Sequence, residues 1–134
     1  MRNQVPKRLD EPGQLHEFDG GFEHMLKDTV RQDDGVLRIT AKLFLTYTGN
    51  GSINNVTVTL KLPTSVMTKT TTIHIPTLRG SSATPMILDI TFYANCMVLP
   101  TDPVVGVTAM FFSNNGEPRT AQTDIVLPMF FFCR

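Results

Sequence analysis

The sequence has no tryptophan, two tyrosines and two cysteines among its 134 residues. Without tryptophan, the Cys–Trp–Cys core of an antibody domain is excluded. Two cysteines allow at most one internal disulfide. An excess of charge of either sign is also lacking: 12 basic and 12 acidic residues give a net charge of zero. Nucleic-acid binders draw much of their affinity from neutralising phosphates, which needs a basic surplus, so no nucleic-acid partner is expected. The Lys and Arg residues are scattered, which leaves no patch for an anionic membrane.

Long apolar runs are missing too. No stretch approaches the roughly 20 residues of a membrane span. The opening MRNQVPKRLDEPGQLHEF lacks the apolar run of a secretory leader. The expectation is a soluble cytoplasmic domain that meets membranes only indirectly. Cys96 and Cys133 would then be reduced, small apolar residues. The sequons Asn50-Gly51-Ser52 and Asn55-Val56-Thr57 would go unused. In a secretory compartment the two cysteines would be able to pair, and the sequence alone does not choose between these states.

Motifs that carry chemistry are absent. His16, His24 and His74 lie far apart and fit no HExxH or related spacing, and CxxC does not occur. GxSxG is absent, which removes the nucleophile elbow of α/β-hydrolases. Gly49-Asn50-Gly51 precedes a strand-like segment, so no helix N-terminus stands ready for a phosphate. The acidic pairs Asp10-Glu11 and Asp33-Asp34 sit in a polar segment where nothing would raise a carboxyl pKa. We therefore expect no catalytic residue, no metal and no cofactor, and a protein that is not an enzyme.

What is present is strand periodicity. Residues 1–35 form a polar N-terminal extension: a loop or tail over 1–14, then GFEHMLKDTVRQ over 21–32. There the spacing of Phe22, Met25, Leu26 and Val30 predicts a short helix before Asp33-Asp34-Gly35 breaks the chain. From Val36 the period is two. In VLRITAKLFLTYT the residues Leu37, Ile39, Ala41, Leu43, Leu45 and Tyr47 share one face. GNGS at 49–52 reads as a hairpin turn into NNVTVTLKLP, with Val56, Val58, Leu60 and Leu62 inward. Further strands are expected at 70–75, 86–94 and 104–112, and a last one from Arg119 to Phe132. The segment 76–85 reads as a loop and 113–118 as a turn. Six or seven short strands with turns about every ten residues describe an all-β fold, an immunoglobulin-like antiparallel β-sandwich over 36–134. A jelly roll is the nearest competitor.

Aromatic residues supply the candidate contact sites. Phe44 falls on the same face as Arg38 and Lys42, opposite the apolar row. An aromatic among basic residues offers area and cation–π contacts to a docking peptide. At the end of the chain, Phe130, Phe131 and Phe132 cannot all point inward from a strand, because neighbours alternate. Phe130 and Phe132 are therefore candidates for a covered outer face.

That last stretch also carries a resemblance. GEPRTAQTDIVLPMFFFC (116–133) resembles the final strand of the gamma-adaptin-ear-like (GAE) domain of BBSome subunit nine, at Gly116, Pro118, Arg119, Gln122, Leu127, Pro128 and Cys133. The resemblance implies an adaptin-ear-like sandwich set between a propeller and a platform domain. It implies a structural role beside other subunits of a coat complex that moves membrane proteins to and from cilia, at the cilium, basal body or ciliary membrane. Two other readings stand beside it. One is the appendage of a clathrin or coatomer adaptor, which takes accessory-protein peptides by strand addition or in a shallow basic groove. The other is a secreted immunoglobulin-like domain.

Overall fold

The computed structural model describes residues 16–17, 20–80, 84–113 and 115–133. The tail expected over 1–14 and the Asp10-Glu11 pair lie outside them. The described chain forms nine strands and one helical turn: β1 (His16–Glu17), β2 (Gly20–Arg31), β3 (Val36–Tyr47), β4 (Ser52–Lys61), β5 (Val66–Thr68), β6 (Thr72–Arg79), β7 (Met86–Asn95), β8 (Val104–Phe112), β9 (Pro118–Val126) and α1 (Met129–Phe132).

These strands make two sheets, ordered β2-β3-β7-β5 and β1-β9-β8-β4-β6. Every pairing is antiparallel except the two-residue β1, which runs parallel to β9. The first sheet fills the places of A-B-E-D in an immunoglobulin sandwich. In the second, β4, β8 and β9 fill those of C-F-G. The sandwich expected from the periodicity is therefore the fold, with β6 added beside β4.

The core follows from strand alternation. Leu37, Ile39, Ala41, Leu43 and Leu45 of β3 are buried, as are Ile90, Phe92 and Ala94 of β7. Facing them are Val56, Val58 and Leu60 of β4, Val105, Val107 and Ala109 of β8, and Ile125 of β9. Each fully buried aliphatic or aromatic side chain contributes about 1.5–3 kcal/mol through removal of apolar surface from water. No polar or charged residue is buried among the described residues.

Two true hairpins share one design. In the β2–β3 turn, Gln32 N–H donates to Val36 O (2.9 Å) and Gly35 N–H to Gln32 O (3.0 Å). In the β8–β9 turn, Ser113 N–H donates to Glu117 O (2.9 Å) and Gly116 N–H to Ser113 O (2.8 Å). Gly35 and Gly116 each have φ of 81°, the left-handed position that closes a three-residue loop and that a side chain resists.

Four expectations are corrected. First, 21–32 is not a helix but most of β2, hydrogen-bonded along β3. A register shift between Leu26 and Asp28 resets the alternation, and His24 takes an inward position, so period two was hidden. Second, GNGS does not make a hairpin: β3 and β4 belong to different sheets, and the turn carries the chain across the sandwich. Third, the strand expected at 70–75 begins at Thr72 and continues through Pro76 to Arg79. Pro76 is tolerated because β6 is a sheet edge. Fourth, the last strand stops at Val126, and Met129–Phe132 is a turn of helix. Pro128 lacks the N–H a strand needs and stands at the helix N-cap position.

Candidate interaction surfaces

The outer face of β3 presents Arg38, Lys42 and Phe44 as alternation requires. Arg38 is exposed between its cross-strand partners Val30 and Tyr93. Lys42 Nζ donates to Asp89 Oδ1 at 2.9 Å across the β3–β7 pair. Phe44 is half-buried between Glu23 and Ile87 and, with Gly21, Thr46 and Pro85, lines a shallow hollow of about 420 Å³. The three residues thus share a face, but Glu23 and Asp89 interrupt it. It is a mixed-charge surface, not a basic groove.

Asp89 is largely exposed, and the hydrogen bond from Lys42, then its charge, holds the carboxyl below its usual range. A depressed carboxyl pKa adds stability above the ordinary value and loses it as pH falls through the folded value. We expect Asp89→Asn to be slightly less stable than the parent at neutral pH. The gap should close once the pH is well below the ordinary carboxylate range, as read from urea midpoints across a pH series. Because the pair is exposed, the gap should also shrink in high salt.

The more distinctive site lies at the other side of β7. There β5 is only three residues long and pairs with Phe92, Tyr93 and Ala94. Thr68 Oγ1 donates to Thr91 O (2.8 Å) and Asn95 N–H donates to Ser65 O (3.0 Å), so the odd-numbered backbone groups of β7 point to this side. Those of Ile87 and Asp89 meet no further strand among the described residues. Beside this open edge is a hollow of about 630 Å³ lined by Met67, Thr68, Lys69, Thr70, Ile73, Asp89, Ile90, Thr91 and Tyr93. Met67 is 70% exposed on its rim. Sequence reading missed this site because β5 is too short to show a period.

At the C-terminal end of β9, Leu127 and Met129 are buried while Phe130 and Phe131 are 54% and 69% exposed. Phe132 is half-buried and packs against the core. Its ring meets Phe131 edge-on at 5.1 Å. The expectation that 130–132 alternate across a strand therefore fails. The helical turn uses Met129 as its inward anchor. Cys133, expected to be a reduced thiol, is instead bonded to Cys96, with Cα atoms 5.1 Å apart.

Other polar groups serve the fold. His24 Nδ1 and Thr123 Oγ1 share a hydrogen bond of 2.8 Å between the sheets. His74 is exposed on β6. Among the described residues, no three His, Cys, Asp or Glu side chains gather as a metal site. No helix there is long and apolar enough to cross a membrane.

Comparison with known families matches the PTHB1 GAE domain over residues 36–125. This chain belongs to the PTHB1 GAE domain family. The match runs from the start of β3 into β9 and so takes in both sheets of the sandwich. No curated protein matches the chain. A PTHB1 GAE domain is an adaptin-ear-like protein-interaction fold, and the open edge and exposed apolar groups above are surfaces of that fold.

Proposed function

We propose that this PTHB1 GAE domain is a non-enzymatic structural and protein-interaction domain of a BBSome-like coat complex that carries membrane proteins to and from cilia. The observation that supports this reading is the family match over 36–125. In this reading the domain works in the cytoplasm, at the cilium, basal body or ciliary membrane. Its partners are other coat subunits and neighbouring propeller and platform domains, and it meets the membrane only through them. The candidate contact residues are Arg38, Lys42, Phe44, Phe130 and Phe132. The test is affinity purification of the tagged protein from ciliated cells, read by mass spectrometry. Co-purification of other BBSome subunits is expected. Recovery of clathrin-accessory proteins without them would overturn the assignment.

The open edge of β7 favours a second reading, a peptide-binding appendage. An extended segment would pair with the backbone of Ile87 and Asp89 and place an apolar side chain among Met67, Ile73 and Tyr93. Panning a phage library of extended octapeptides against the domain tests it. Enriched peptides should lose binding to Met67→Asp, whose stability should stay within about 0.5 kcal/mol of the parent because the side chain is exposed. Equal binding to both proteins would remove this reading.

A further inference from the structure

We infer that the Cys96–Cys133 bond is a reversible clasp that joins two exposed apolar segments into one surface, under control of the local thiol redox balance. Cys96 opens the β7–β8 connection and is followed by Met97, Val98 and Leu99, of which Met97 is 83% exposed. Cys133 closes the helical turn that carries exposed Phe130 and Phe131. The two segments are 37 residues apart in sequence, and the bond is their covalent link.

The rest of the domain does not depend on this link. The connection is also held by Cys96 N–H to Gly35 O (3.1 Å), and the turn by Arg31 Nη1 to Phe132 O (3.0 Å). Leu127 and Met129 anchor the end of the chain in the core. Breaking the bond would therefore free the tips of both segments and leave the sandwich standing. The Cα separation of 5.1 Å lies in the ordinary range for a disulfide, so the two segments are already placed for the bond to close. Both cysteines are only half-buried, at the margin of the core and not sealed within it.

The step is thiol–disulfide exchange. One cysteine thiolate attacks oxidised glutathione and expels one glutathione thiolate. The second cysteine thiolate attacks the mixed disulfide on the protein and expels the other. Two cysteine thiols are oxidised, one glutathione disulfide is reduced, and the two protons end on the two glutathione thiols released.

The test is a titration of the 134-residue chain against mixtures of reduced and oxidised glutathione. Samples are acid-quenched, alkylated and weighed, and amide exchange is followed in parallel. A reversible transition between paired and free thiols is expected within the glutathione range. On reduction, exchange of Cys96, Val98, Phe132 and Cys133 should speed up by roughly tenfold or more, with β3, β4 and β8 unchanged. Cys96→Ser and Cys133→Ser should show the reduced pattern at every ratio. A bond that persists at the most reducing ratio would be a fixed staple of an oxidising compartment, and the inference fails. It also fails if the thiols never pair, or if pairing leaves the exchange of both segments unaltered.

Discussion

Replacing Phe92 by alanine should lower the unfolding free energy by roughly 3–5 kcal/mol. Phe92 is the largest of the fully buried side chains. It stands on β7 opposite Ile39 of β3 on one side and Thr68 of β5 on the other. Truncation loses the transfer energy of the ring and leaves a cavity that two hydrogen-bonded sheets collapse around poorly. Against a total of about 5–15 kcal/mol for a domain of this kind, the change removes a large share of stability. The measurement is the urea midpoint at constant slope. A loss under about 1 kcal/mol would mean that the ring is not in the core.

The second large effect concerns the end of the chain. Met129→Asp should destabilise the domain by about 3 kcal/mol or more at neutral pH, because a carboxylate would be stripped of water at a fully buried position. Burial raises the pKa of the introduced carboxyl. The penalty is therefore greatest above that raised value and shrinks as pH falls and the group becomes neutral. Phe131→Asp, two residues on and largely exposed, should change stability by only about 0.5 kcal/mol. Urea unfolding of both variants at two pH values distinguishes the cases. Equal effects would show that the helical turn is not docked through Met129. The comparison is informative because Met129 lies beyond the segment matched by the PTHB1 GAE family, yet it is fully buried.

Much of the sandwich is legible from residue type alone. In β3, β4, β7 and β8 one face is dry and the other wet, so Leu37 through Leu45 and Val56 through Leu60 announce their orientation. β2 is not legible. Its inward row of Phe22, His24 and Leu26 contains a histidine, and the register shift after Leu26 destroys the count. The spacing of Phe22, Met25 and Leu26 then imitates a helix, although Met25 points to solvent. A glycine-rich turn such as GNGS marks a reversal but not which sheet the chain enters next, because turn chemistry is local and sheet membership is not.

The candidate surfaces divide in the same way. Arg38, Lys42 and Phe44 do share a face, since alternation alone requires it. That Asp89 engages Lys42 depends on the register of β3 against β7, which no local pattern reports. The hollow beside β7 depends on Met67, Ile73 and Tyr93 from three strands, and on β5 ending early. The pairing of Cys96 with Cys133 likewise needs the three-dimensional path of the 37 residues between them.

Among the described strands, only the β2–β3 and β8–β9 pairs join strands that are consecutive in the chain. The other ladders join strands separated by at least one further strand, and the loop-closure entropy is met before those contacts reward it. Refolding should therefore fall in the milliseconds-to-seconds range of high-contact-order sandwiches. The two glycine-closed hairpins are the segments placed to take shape first. Substitutions at Gly35 and Gly116 would then slow refolding more than they speed unfolding.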